Sequence, residues 1–340
     1  MTSNRAATIA RFLATTDWAG SQQIALAGDA SLRRYIRLAK GADRAMLMDA
    51  PPETGEDTRP FLRMAQALRD MGLSTPKIIA ENVTDGFVLM EDFGDAIYTT
   101  VCAQNPEQEP HLYAAAGAVL AQMQTAPAPD LPAYGPLMPD LAALALDWYA
   151  PEARDARDDL TTAMAQVLAD TATGPAVLTH RDFHADNLMW LPARSGLARV
   201  GLLDFQDAML GPPEYDLASL IHDPRRPVSA DAAKAATQAY ITGTGRPIEE
   251  VTRGVAVASA QRNLRILGVF ARLCLRDGKT HYPDFIPRTW DALTADLRHS
   301  ALSNLRSVVD AVLPPPTDAR LQAIRDRAGQ LRGQPHGATP

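Results

Sequence analysis

The sequence predicts an α+β protein of two lobes, a small antiparallel β-rich N-terminal lobe followed by a larger helical C-terminal lobe. Three observations predict it. Short strand-like runs crowd residues 22–91 and are interrupted by a single amphipathic helix pattern. After Asp92 the composition shifts to long Ala- and Leu-rich stretches of helical period. The chain has 340 residues, enough for two modest cores, and shows no internal repeat.

In the first lobe, Gln22–Ala27 and Arg33–Ala39 read as strands around a tight turn of small residues at Gly28–Ser31. Ala45–Asp49 reads as a third strand after the turn signal Lys40-Gly41. Arg59–Met71 is helical, with Phe61, Leu62, Ala65 and Leu68 on one face and Gly72 as a stop. Lys77–Glu81 and Phe87–Glu91 supply two more strands, and the residues before the first strand suit a leading helix. The joint falls near Met90–Gly94, giving expected bounds of 1–92 and 93–313.

In the second lobe, Glu109–Gln124 is helical, with Pro110 acceptable in its first turn. The Pro-rich APAPDLPAYGPLMP separates it from helices at Asp140–Ala150 and Ala156–Ala172. Short strands surround residues 179–191 and Val200–Leu203. Helices are then expected at Tyr215–His222, Asp231–Ile241, Glu249–Leu275 and Thr289–Val312. The Pro- and Gly-punctuated tail, 314–340, is expected to fray.

Hydrophobic content of 46% and charged content of 21% fit a globular enzyme. A net charge of −7 disfavours a general nucleic-acid binder. Cys102 and Cys274 stand far apart without a CxxC, so neither a disulfide framework nor a zinc ribbon follows. The first residues lack the continuous apolar core of a signal peptide, and no uncharged run has the length of a membrane span. The expectation is a cytoplasmic protein with no membrane, nucleic-acid or obligate protein partner.

The stretch THRDFHADNLMWL, Thr179–Leu191, concentrates the polar chemistry. His180, Asp182 and His184 alternate, as ligands of a metallohydrolase can, with His222 as the nearby further candidate. A polar turn around a buried histidine is the plain structural alternative. The third reading is phosphoryl transfer. His180-Arg181-Asp182 followed by Asn187 has the spacing H-R-D-x-x-x-x-N, in which the aspartate orients and deprotonates the acceptor hydroxyl and the asparagine binds a magnesium ion. The metals on the phosphates need another carboxylate beyond the next strand, and Val200–Leu203 runs into Asp204. Asp182, Asn187 and Asp204 together are more specific than the loop alone.

With these residues on the page, the chain resembles the aminoglycoside phosphotransferase and choline kinase superfamily, relatives of the protein kinases, from about Ala19 to about Leu313. LLDFQDAMLGPPEYDLASL, Leu202–Leu220, is similar to that family's strand, metal aspartate and following helix start. The resemblance implies a bilobal protein-kinase-like fold and an enzyme that uses ATP and Mg2+, with Asn187 and Asp204 as metal ligands. It gives Asp216 the structural role of bracing the loop, although a simple helix-terminus cap reads equally well. His180 is assigned to support of the loop backbone.

On the nucleotide side, Gly28, Asp29, Ala30 and Ser31 match the family's phosphate-covering loop, and Tyr35 falls near the position that packs on the adenine. Arg33 and Arg37 share its strand face. Met90, Glu91 and Asp92 resemble the hinge whose backbone meets the adenine edge. One departure stands out. The third strand, Ala45-Met46-Leu47-Met48-Asp49, has no lysine for the phosphates, and the helix Arg59–Met71 has no glutamate to pair with one. Arg33 or Arg37 is expected to supply the missing charge.

For the acceptor, Pro247–Ser300 carries eight basic residues against six acidic ones, which leans away from a polycationic aminoglycoside. GDASLRRYIRL, MLMDAPPE, EDFGD and QRNLRILGVFARLCLRDGK look like the bacterial anomeric kinases of N-acetylmuramate and N-acetylglucosamine, which implies an amino-sugar substrate phosphorylated at its anomeric hydroxyl. His184, Asp207, Arg262 and Asn263 are the candidate acceptor contacts, Arg262 or Asn263 toward the sugar or its lactyl carboxylate; a purely structural salt bridge remains the alternative for Arg262. An aminoglycoside or choline-type enzyme and a catalytically inactive nucleotide-binding module also remain open.

Overall fold

A computed structural model of the chain describes residues 2–26, 33–172 and 174–333. In chain order the first elements are α1 (Thr2–Ala14), β1 (Gln22–Ala25), β2 (Arg34–Lys40), β3 (Asp43–Asp49), α2 (Arg59–Asp70), β4 (Ile78–Asn82), β5 (Phe87–Glu91) and α3 (Tyr98–Gln104). Then follow α4 (Glu109–Thr125), α5 (Met138–Ala142), α6 (Arg157–Thr171), β6 (Val177–Thr179), β7 (Leu188–Trp190), β8 (Val200–Leu202) and β9 (Met209–Gly211). The chain closes with α7 (Tyr215–Ile221), α8 (Ala230–Thr244), α9 (Ile248–Leu275), α10 (Ile286–Asp296), α11 (Ser303–Val312) and α12 (Asp318–Asp326). Two compact units result, residues 1–104 with 186–207, and residues 105–185 with 208–340. Among the described residues no helix is long and apolar enough to cross a membrane.

The first unit is built on a five-stranded antiparallel sheet of order β1-β2-β3-β5-β4. Strand alternation decides its two faces. Leu38, Ala45, Leu47, Phe87 and Leu89 turn to one side and bury against Ile9, Phe12 and Leu13 of α1. Phe12 stacks on Phe87 at 5.3 Å, and Arg5 reaches the fully buried Asp49 at 2.6 Å. Burying that carboxylate without a cation would be costly, so Arg5 fixes the helix as well as the charge.

The segment 186–207 joins this unit by long-range pairing. β7 and β8 form a two-stranded ribbon, Leu188 opposite Leu202, and bridges tie Ile97 to Met189 and Ser74 to Gly201. Gly201 has no room for a side chain, since a Cβ there would lie 2.8 Å from the Phe93 ring. Phe61 of α2 stacks on Phe205 at 4.9 Å.

The second unit is helical. α4 and α8 approach so closely that a Cβ on Gly117 would stand 2.2 Å from the carbonyl oxygen of Ala236. The long α9 is buried along most of its length and carries a polar patch inside the unit, Ser259, Gln261, Arg262 and Asn263, each 2% exposed or less. The helix expected at Thr289–Val312 is two helices, α10 and α11, parted by a turn in which His299 Nδ1 accepts from the Ala301 N–H. The tail does not fray over 318–326. α12 buries Leu321 and Ile324, Thr317 caps it, and the Gly329 and Leu331 N–H groups donate to the carbonyls of Cys274 and Leu275. The proline run PPP ends α11 without ending the fold.

Candidate active site

The candidate site residues fall into two sets, one in each unit. In the first unit a cavity of about 460 Å3 is lined by Arg33, Tyr35, Arg37, Met46, Met90 and Asp204, among others. That volume suits a nucleotide-sized ligand. Period-two alternation puts Arg33, Tyr35 and Arg37 on the cavity side, while Leu38, Ala45 and Leu47 face α1. Met46, cross-strand from Arg37, takes the cavity-facing position on β3. Met90, Glu91 and Asp92 also line the cavity. Glu91 pairs with Arg194, and Asp92 accepts from the N–H of Gly94, a turn residue at φ 81° that favours glycine. Gly28, Asp29, Ala30 and Ser31 lie outside the described residues.

The two arginines differ. Arg37 is held by two carboxylates, Asp92 at 2.5 Å and Asp95 at 2.8 Å. Arg33 donates from Nε to Glu56 at 2.6 Å. Burial is the largest influence and disfavours the Arg33 charge, but the Glu56 hydrogen bond together with the charges of Glu56, Tyr35 and Asp207 outweighs it, and the pKa is raised. Burial also raises the Tyr35 phenol, keeping it neutral. Glu56 went unread in the sequence because it stands in the turn before α2 and outside the helical pattern.

Asn187 and Asp204 line the same cavity. The backbone joins them, the Leu203 N–H donating to the Asn187 carbonyl at 3.0 Å. Asp204 has φ 58°, and its Oδ1 accepts from Gln206 at 2.7 Å. Asp186 is tied down as an acceptor from Thr99 at 2.5 Å. Asp207 is in this unit, exposed, and its charge acts on Arg33. An amide oxygen and a carboxylate oxygen form a hard, oxygen-only donor pair, which fits Mg2+, a cation that takes one or two protein ligands and completes its shell with phosphates and water. Among the described residues no three His, Cys, Asp or Glu side chains converge on a metal position.

In the second unit, residues 180–184 form a loop after β6. The buried Asp216, at the first turn of α7, accepts from the backbone N–H groups of His180 at 2.6 Å and Arg181 at 2.9 Å. Burial pushes the Asp216 carboxyl up to about 6, against the pull of His180 and the two N–H donors. Arg181 has φ 77° and lays its guanidinium over the Tyr134 ring at 4.9 Å. Arg181 and Asp204 are the non-glycine residues with positive φ among those described, so both motif loops carry backbone strain. The His180 ring meets Phe183 edge-on at 5.6 Å.

Asp182 is half-buried. Burial works against its charge, but Arg265, with His184, Arg262 and His180, more than offsets this and lowers the carboxyl to about 2. His184 is held neutral by burial and then by the Arg225 charge. Arg262 is 2% exposed, and its Nη1 is buried without a hydrogen-bond partner. Asn263 donates to Ser259 at 3.1 Å and Asp296 at 3.3 Å. His222 and Ser259 are 2.7 Å apart, and Ser259 donates to Asp296 at 2.5 Å. Burial raises Asp296 to about 7 and lowers His222 to about 4. Ser259, Asp296 and Arg225 had no motif to announce them, whereas His222 and Asn263 were candidates from the sequence.

Residues 22–251 match the model of the phosphotransferase enzyme family. The N-acetylmuramate/N-acetylglucosamine kinase of Caulobacter vibrioides is 35% identical, over 92% of this chain and 98% of its own length. The enzyme of that name from Pseudomonas aeruginosa is 34% identical, over 88% of this chain and 90% of its own. A choline/ethanolamine kinase family protein from Mesorhizobium loti, 16% identical, superposes with a TM-score of 0.64 over 92% of this chain and all of that one. That likeness identifies the bilobal fold, and the sequence matches extend it to chemistry: the chain belongs to the phosphotransferase enzyme family.

Proposed function

We propose that the protein transfers the γ-phosphate of ATP, with Mg2+, to the anomeric hydroxyl of N-acetylmuramate or N-acetylglucosamine. The observation that carries this reading is the match, over nearly the whole chain, to relatives named N-acetylmuramate/N-acetylglucosamine kinase, in a protein with the Asp182, Asn187 and Asp204 spacing.

The first unit takes the nucleotide. Met46, Met90 and Tyr35 line an apolar slot for the adenine, and Arg33 supplies a cation toward the phosphates. Asn187 and Asp204 would hold Mg2+, which when bound neutralises charge on the β- and γ-phosphates. The second unit takes the acceptor. At about 2 the Asp182 carboxylate is ionised at every physiological pH. Such a weak base orients the hydroxyl first and receives its proton late, as suits a loose transition state in which the nucleophile needs little activation. Asp216 holds the loop that presents it. Arg225 and Arg262 make a poor surrounding for a polycationic aminoglycoside and a good one for a neutral or anionic sugar.

The test is Mg2+-dependent ATP turnover against a panel of amino sugars, aminoglycosides and choline, with the phosphorylated position assigned by 31P and 13C NMR. Phosphate on C1 of N-acetylmuramate or N-acetylglucosamine is the expected product. Turnover only with an aminoglycoside or choline, or none with any acceptor, would sink the proposal.

A further inference from the structure

The chain carries a net charge of −7, yet one groove of its first unit is strongly basic. The groove has a volume of about 760 Å3, within the range of small-molecule sites. Arg44, Arg69, Lys77 and Arg194 line it, against the single carboxylate of Glu91. Arg44 is on β3, Arg69 in the last turn of α2, Lys77 just ahead of β4, and Arg194 in the loop between β7 and β8. Sheet register gathers three of these residues. Ala45 lies opposite Glu91, and the Glu91 N–H donates to the Lys77 carbonyl at 2.9 Å. Arg44, Glu91 and Lys77 therefore stand at one end of three neighbouring strands.

Three of the four cations lack a counter-charge. Among the described residues no carboxylate pairs with Arg44, Arg69 or Lys77, and all three are exposed. Arg44 donates from Nη1 alone, to the carbonyl oxygens of Gly41 and Asp43 at 3.0 and 2.8 Å. Like charges gathered on one concave surface repel one another, and a bound anion relieves that repulsion.

Arg194 is different. It pairs with Glu91, donates to the Ser74 hydroxyl at 2.8 Å and lays its guanidinium over the Phe93 ring at 5.1 Å. Glu91 and Phe93 also line the nucleotide-sized cavity. One arginine thus faces the groove and holds two residues of the cavity wall.

A guanidinium fork matches phosphate oxygens bidentately, and a phosphate monoester carries close to two negative charges at neutral pH. The exposed Ile79 of β4 adds an apolar surface for a compact body attached to that phosphate. We propose that the groove binds a phosphate dianion, free or esterified to a small sugar, and that its occupancy weakens nucleotide binding because the phosphate competes with Glu91 for Arg194. The site is independent of the acceptor, and its coupling rests on the neighbouring cavity holding the nucleotide.

Calorimetry on the full chain reads both parts. Inorganic phosphate and N-acetylglucosamine 1-phosphate are titrated into wild type and into the double variant Arg69→Ala, Lys77→Ala. ADP is then titrated with and without each probe, at the concentration that saturates wild type. Both substituted side chains are exposed and neither lines the nucleotide cavity, so ADP alone should bind the variant as it binds wild type. The Kd of the phosphate probe should rise about tenfold in the variant, through lost charge-assisted hydrogen bonds. In wild type the saturating probe should weaken ADP about fivefold, a coupling that the variant loses. Tighter binding of the sugar phosphate identifies a phosphorylated sugar as the ligand, and equal binding identifies the free ion. Phosphate binding and ADP weakening that persist unchanged in the variant put the anion in the nucleotide cavity and overturn the groove site, as does the absence of binding by either probe. An ADP constant that the bound probe leaves unmoved overturns the coupling. Wild type that binds a probe but no ADP removes the proposed function and the coupling with it.

Discussion

Arg33, just ahead of β2, donates from Nε to Glu56, in the turn before α2, at 2.6 Å, and both side chains are 15% exposed. The sequence lacks the lysine and glutamate that its resemblance expects on the third strand and the following helix. A cation–carboxylate pair is nevertheless present, its arginine lining the cavity just ahead of the second strand and its glutamate in the turn before the helix. Arg37, the other candidate, already satisfies two carboxylates.

Arg33→Ala is therefore expected to raise the ATP KM about tenfold, the loss of one charge-assisted hydrogen bond of about 1.5 kcal/mol. Glu56→Gln should raise it less, and the double variant should resemble Arg33→Ala, because the glutamate acts through the arginine. Arg37→Ala should change the ATP KM less than Arg33→Ala does. Steady-state kinetics decide this, and an unchanged KM in Arg33→Ala rules the substitution of charge out.

Asp182→Asn keeps the shape of the loop and removes the carboxylate. We expect kcat to fall about 10²- to 10⁴-fold. The dissociation constant for ATP, read by calorimetry, should stay within about twofold, since no nucleotide contact is assigned to Asp182. Retained turnover would remove Asp182 from the mechanism.

Asp216 gives a pH signature. Its folded pKa of about 6 lies above the ordinary 3.8. Between those values the native state holds a proton that the unfolded state has lost. This group therefore adds stability as pH falls through 6, and the gain is complete below about 4. The same proton weakens the carboxylate that receives the His180 and Arg181 N–H groups. Activity and stability should thus separate. kcat should decline as pH drops through about 6 while Tm does not, and Asp216→Asn, slower throughout, should lose that acid limb. Asp182, at about 2, cannot produce it. An unchanged acid limb in Asp216→Asn would assign it to another group.

What could be read in advance depended on the range of the interactions. Alternation alone grouped Arg33, Tyr35 and Arg37, and all three line one cavity. The Phe87–Glu91 strand kept its bounds because Gly86 and the turn beyond Glu91 delimit it locally. Assignment of residues 186–207 to the first unit was not legible, since it depends on Ser74 meeting Gly201 and Phe61 meeting Phe205 across more than a hundred residues. The expected joint at residue 92 followed composition, whereas the first compact unit runs on to residue 104 through α3. α12 was hidden for a related reason. Its Leu321 and Ile324, three apart, only acquire meaning once the Cys274 and Leu275 carbonyls are there to hold the chain that follows. Arg225 and Arg226 read identically in the sequence, and only Glu109 and Tyr113 of α4, which accept from Arg226, tell them apart.

The contact between α4 and α8 makes a stability prediction whose sign runs against propensity. Alanine in place of a helical glycine normally gains about 1 kcal/mol. At Gly117 a Cβ would lie 2.2 Å from the Ala236 carbonyl oxygen, a backbone atom that cannot rotate away. At Gly243, on the facing helix, a Cβ would lie 2.5 Å from that of Ala121, so the two helices interlock at two points. Separating them to admit a methyl group would open the buried packing of Leu120 and Tyr240. Gly117→Ala should therefore destabilise the protein by about 1–3 kcal/mol, as overpacking does, and lower Tm by several degrees. Gly135→Ala, where a Cβ meets nothing within 4 Å, is the control and should leave Tm nearly unchanged. Thermal unfolding followed by circular dichroism reads both, and a Gly117→Ala protein as stable as wild type would mean that the helices pack less closely than described.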